Sequence, residues 1–164
     1  MKIRLLKCDP KHRNGVREFT KFAGRILFGP HLVRHIHTSI SFREIKGVDG
    51  DDLDGQCTVS DDEKKPRHFL LHVDPTQNFE KILQTIGHEL CHAKQFARGE
   101  LIYFNKYITI WKNDSYGEET SYYREPWEIE AFGEGLCLPQ YFYEEYPEFK
   151  PKIDKKEVDH LGKL

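Results

Sequence analysis

The chain has 164 residues, of which 38% are hydrophobic, and 25 basic against 27 acidic side chains leave a formal charge of −2. That length suits one domain with a modest core. The near-balanced charge gives no indication of a nucleic-acid partner, and the absence of an apolar run of about 20 residues excludes a membrane-spanning helix.

Lys2, Arg4 and Lys7 interrupt the apolar residues of the N-terminus, so it does not read as a signal peptide. Asp9 can cap a first helix with Pro10 at its first position, running to about Leu27, with Gly29-Pro30 as its stop. Val16, Phe19, Phe22, Ala23, Ile26 and Leu27 supply an apolar face that can back a sheet. Residues 33 to 46 alternate around Ile36, Thr38, Ile40 and Phe42 and read as a strand. The Asp- and Gly-rich run from Asp49 to Gly55 lacks the spacing and distal Glu of a calcium loop and reads as a solvated turn. Residues 55 to 60 make a short strand, Asp61 to Pro66 a charged turn, and Arg67 to Val73 another strand. Asp74-Pro75-Thr76 then leads into a helix beginning near Gln77 or Asn78.

That helix carries the most informative residues, His88-Glu89-Leu90-Cys91-His92. At 3.6 residues per turn the two imidazoles project from one face, one turn apart, and can bind one Zn²⁺. Glu89 lies about 100° round from His88, beside the metal, where it can take a proton from an attacking water. Ile82, Leu83, Ile86, Leu90, Ala93 and Ala97 gather in an apolar stripe away from the histidines, so the helix has a buried back and a chemically distinct front. Cys91, on the flank, reads as a small packed thiol.

Between this helix and the next lies an aromatic segment with Tyr103, Phe104, Tyr107, Trp111, Tyr116, Tyr122 and Tyr123. Alternation around Ile102, Phe104, Ile108 and Ile110 suits short strands, and Lys112-Asn113-Asp114 a turn. Most of these rings read as packing. Tyr122 or Tyr123, nearest the following helix, is the candidate donor to an oxyanion.

Catalytic zinc takes three protein ligands and leaves a position for water. The next histidine after His92 is His160, in a charged tail, so a carboxylate is expected to close the site. Pro126 starts a helix through Trp127-Glu128-Ile129-Glu130-Ala131-Phe132-Gly133-Glu134. Glu128 and Glu130 compete as the third ligand. Glu130 is preferred because Glu134, one turn on, can accept a hydrogen bond from a ligating imidazole. Residues 1 to 145 form the expected domain, with 146 to 164 a charged tail.

The pair His88-Glu89-Leu90-Cys91-His92 and Glu130-Ala131-Phe132-Gly133-Glu134 resembles the gluzincin type of zinc metallopeptidase. Pro126-Trp127-Glu128-Ile129-Glu130-Ala131 is similar to the corresponding words of small bacteriophage-type and SprT-like metallopeptidases. SprT-like proteins proper use a third His, which this chain lacks, so the likeness is to minimal gluzincins. It covers roughly residues 65 to 140. The resemblance implies an α+β zincin-like fold: a small mixed sheet with a backing helix, the active-site helix and a downstream ligand helix. It also implies a zinc endopeptidase acting on an extended protein or peptide substrate. In such enzymes the strand before the motif helix forms the rim that pairs with substrate, which makes residues 67 to 73 the candidate. Two other readings share the residues: a zinc-stabilised scaffold without turnover, and a hydrolase of a non-protein amide or cell-wall peptide. Cys8, Cys57, Cys91 and Cys137 form no C-x-x-C pair and fit reduced thiols in a cytoplasmic protein.

Overall fold

A computed structural model of the chain describes residues 1–47, 50–61 and 64–151. Asp49 of the acidic turn, Asp62 and Glu63 of the charged turn, and the tail from Lys152 lie outside the described residues. The fold is α+β. Strand β1 (Lys2–Leu6) leads through helix α1 (Pro10–Leu32) to β2 (His37–Phe42), then to β3 (Gly55–Val59), β4 (His68–Val73) and helix α2 (Phe79–Arg98). Three short strands follow, β5 (Leu101–Tyr103), β6 (Ile108–Trp111) and β7 (Asp114–Gly117), and helix α3 (Pro126–Glu145) comes last. No described helix is long and apolar enough to cross a membrane.

The larger sheet has the order β1-β2-β4-β3, with β1, β2 and β4 parallel and β3 antiparallel at one edge. Parallel neighbours need a crossover, and α1 supplies the one from β1 to β2. Strand β1 was not anticipated. Its alternation places Leu5 in the core while Lys2 and Arg4 face outward, a five-residue pattern too short to announce itself beside a basic N-terminus. Leu5, Ile40, Phe42, Phe69, Leu71 and Val73 turn one face of the sheet toward α1 and α2.

Asp9 caps α1 by accepting from the Lys11 N–H at 2.9 Å. Gly29 breaks the helix at φ 74°, as the Gly-Pro pair requires, but a further turn follows Pro30. Asn78 caps α2, and Gly99 stops it in the left-handed conformation. Lys112 and Asn113, at φ 47° and 77°, make the tight turn between β6 and β7.

One expectation is corrected. Strand β4 is paired on both sides, by β2 and β3, so it offers no free rim; β3 and β1 are the edge strands among the described residues. Helix α3 runs to Glu145, and beyond it Tyr146 packs on Phe142 and Phe22 and Phe149 on Phe142, which removes apolar ring area from water. Phe142 is fully buried and its ring also meets Phe19. Phe142→Ala is expected to destabilise by about 3–5 kcal/mol, read as a lower midpoint in denaturant unfolding.

Candidate metal centre

Helix α2 packs against α1, α3, β3 and β4. Its apolar stripe is buried as expected, yet its front is covered too. Gly87 and Gly135 face each other where α2 and α3 cross: a Cβ on Gly87 would lie 3.3 Å from the Gly135 Cα, and one on Gly135 only 3.0 Å from the Gln84 carbonyl oxygen. Two residues without side chains let the helix backbones approach closely. Seven residues before Gly135, two turns back along α3, stands Glu128.

Glu128 is 6% exposed and reaches both imidazoles. His88 Nε2 lies 3.3 Å from one carboxylate oxygen, His92 Nε2 3.3 Å from the other, and the two nitrogens are 3.0 Å apart. These three residues can hold a metal ion, and no other group of three or more His, Cys, Asp or Glu among the described residues converges in this way. No family model matches the chain, and no curated protein or solved structure does either.

The carboxylate that meets both imidazoles is therefore Glu128 and not Glu130. Glu128, Ala131, Gly135, Leu138 and Phe142 recur at steps of three and four and form the buried stripe of α3. Glu130 is about 200° round from Glu128 and turns to the other side of α2. There it accepts from Lys94 Nζ and Gln95 Nε2, both at 2.9 Å, with Lys112 Nζ at 3.5 Å. Glu134 shares that face and meets neither histidine; the atom opposite His92 Nδ1 is Gln95 Oε1, at 2.9 Å. Neither Gln95 nor Lys94 was singled out in the sequence, although both lie within one turn of His92.

Tyr122 donates its hydroxyl to Glu128 at 2.9 Å, and its ring edge meets Phe132. Phe132 in turn lies against His88 at 4.8 Å. Tyr123 is 78% exposed and touches the site only through an edge contact with Tyr122, so of the two tyrosines the structure brings Tyr122 alone to the donors.

Burial opposes ionisation of Glu128, but hydrogen bonds from His88, His92 and Tyr122 outweigh it and hold its pKa at about 2. Burial likewise disfavours charge on His92, and the Glu128 carboxylate overcomes it, so the imidazole pKa lies above its ordinary value. Burial drives the Tyr122 hydroxyl pKa up, with the Glu128 charge adding to it, which keeps this phenol a proton donor. Burial also raises the Glu89 carboxyl, offset in part by His92 and His88.

Glu89 stays out of the donor set. It lines a cleft of about 350 Å³ with His88, Thr85, Tyr122, Phe132, Leu136 and Gly55 of β3. Gly55 sits directly over it: an added Cβ would fall 2.7 Å from Glu89 Oε1 and 2.5 Å from Thr85 Cγ2. Gly55→Ala must push β3 or Glu89 aside. A cost of about 1–3 kcal/mol is expected from this overpacking, measurable by denaturant unfolding, with metal binding retained because none of the three donors is touched.

Proposed function

We propose that the chain is a zinc-dependent endopeptidase with His88, His92 and Glu128 as ligands and Glu89 as general base. One observation carries this reading: three donors converge, while a fourth ionisable group, Glu89, stands beside them on an open cleft. Tetrahedral zinc with bonds of 2.0–2.1 Å sets neighbouring donors about 3.3 Å apart, close to the 3.0 to 3.3 Å separations of these atoms. A structural zinc site would favour a fourth protein ligand, and no fourth donor joins the group among the described residues.

When bound, zinc supplies Lewis acidity that brings a water pKa to about 7. Glu89 takes a proton from the attacking water as its oxygen bonds to the scissile carbonyl carbon. It returns that proton to the amine nitrogen as the C–N bond breaks. Its raised pKa suits both tasks, since a carboxylate with too low a pKa is a poor base. With the Glu128 carboxylate engaged by a metal, Tyr122 would have its one hydroxyl proton free to donate toward an oxyanion. An extended substrate is expected to pair with β3, which lies at an edge of the sheet among the described residues. Four unpaired cysteines support a reducing, cytoplasmic setting.

Metal analysis of the purified protein, with cleavage profiling on a denatured proteome, tests the reading. About one equivalent of zinc and cleavage that a chelator stops are expected. Zinc without any cleavage would favour the scaffold instead.

A further inference from the structure

We propose that the open face of the larger sheet binds the phosphate backbone of a nucleic acid, with Lys2, Arg4 and Arg43 as its permanent cations. The inference is independent of the metal centre. Side chains alternate between the two faces of a strand. Leu5, Ile40, Leu71 and Val73 take the face against α1 and α2. The intervening residues take the other face, and the register sets them in rows. Lys2 stands beside His37 and His37 beside His68, whose rings are 4.4 Å apart. The next row joins Arg4 to Ser39 and Leu70. Arg43, just past the end of β2, donates from its guanidinium to His72 Nε2 at 3.0 Å.

Sheets of parallel strands are normally covered on both faces. This one is covered on one, and its other face is polar and basic. No Asp or Glu takes an outward position on β1, β2, β3 or β4. Among the described residues Lys2, Arg4 and Arg43 enter no ion pair. Burial, and then the charges of His68 and Lys2, hold the His37 imidazole below its ordinary pKa. Burial and the Arg43 guanidinium do the same at His72. The formal charge of −2 conceals this patch, because acids such as Asp54, Glu89 and Glu128 lie about the cleft instead.

A polyanion is the ligand complementary to such a face. Lys2 and Arg4 stand two residues apart, about 6.6 Å along the strand. Between the cations lie the hydroxyls of Ser39 and Ser41, and on β3 Thr58 and the Gln56 amide complete the face. Lys, Arg, Ser, Thr and Gln are the side chains that contact phosphate oxygens. No Phe, Tyr or Trp takes an outward position on these strands, so the face lacks the platforms on which bases stack. Binding is therefore to the backbone and independent of base sequence. Helix α2, with His88 and His92, lies behind the sheet, so an occupant of this face leaves the cleft open.

The test measures fluorescence anisotropy of short labelled oligonucleotides, single-stranded and duplex, between about 50 and 200 mM salt. Three phosphate contacts predict a slope of log affinity against log salt of about −2.1 on single strands and about −2.7 on duplex. Lys2→Glu with Arg4→Glu should weaken binding about 10-fold or more at the lower salt. The same pair should make the single-strand slope shallower by about 1.4. Arg13→Glu with Arg25→Glu changes net charge equally, but on exposed positions of α1 behind the sheet, and should alter little.

Should the first pair fail to fold, Arg43→Gln alone should still make that slope shallower by about 0.7. A parent that binds no oligonucleotide at the lower salt would overturn the proposal, as would equal losses in the two double variants. Polyglutamate that displaces the oligonucleotide at matched charge would overturn it too, in favour of an acidic protein.

Discussion

Glu128→Ala is expected to lose stoichiometric zinc, and to be the most damaging substitution among the three acids of α3. It removes one of three donors, and a site left with two imidazoles binds zinc poorly. It also leaves the space between His88, His92 and Tyr122 without its only carboxylate, so the hydroxyl that donates at 2.9 Å loses its acceptor. Glu130→Ala acts one step removed, through Gln95, and should cost about 10–100-fold in affinity. Glu134→Ala should cost little, because Glu134 meets neither imidazole. His88→Ala and His92→Ala should match Glu128→Ala. A zinc titration that ranks Glu130→Ala as the worst of the three acids would restore the ligand to the position two residues downstream.

Glu89→Gln should keep zinc and fold while lowering peptide hydrolysis by about 10²–10⁴-fold. The substitution is nearly isosteric, which matters under Gly55, where an added methyl group would collide. It changes only whether the group can accept and return a proton. Elemental analysis should give the same zinc content in parent and variant, and single-turnover cleavage of a peptide library should separate them. Equal cleavage by both would discard Glu89 as the base. No cleavage by either, with zinc present, would favour the scaffold.

The motif helix was legible because its signals agree: a start near Gln77 or Asn78 after Asp74-Pro75-Thr76, an apolar stripe and two histidines one turn apart. The turn at Lys112-Asn113 and the break at Gly29-Pro30 were legible for the same reason, since local backbone chemistry decides them. Which acid meets the two imidazoles was misjudged on a point of helix phase. The pair Glu130 and Glu134 does share a face, but that face meets Lys94. The signal was present in Ala131, Gly135, Leu138 and Phe142, whose stripe, continued one step toward the N-terminus, reaches Glu128. A carboxylate at a core position is costly without partners, so its place in that stripe was itself the mark of a residue with buried polar partners. The edge of the sheet was not legible, because strand order is set by packing between segments far apart in the chain. Nothing within residues 67 to 73 reveals that β3 pairs outside them. Gln95 escaped notice for another reason: its meaning depends on Glu130, which is remote in sequence.

His88 and His92 come from one helix and Glu128 from another, with β5, β6 and β7 strung between them. A cation bound by all three would act as a reversible staple, closing that stretch of chain into a loop as a disulfide would. Its contribution would scale with free metal, reaching about 2.7 kcal/mol at a hundred times the dissociation constant. Heat resistance of the protein should therefore rise with added zinc and fall with a chelator, and amide exchange should slow most where α3 meets α2.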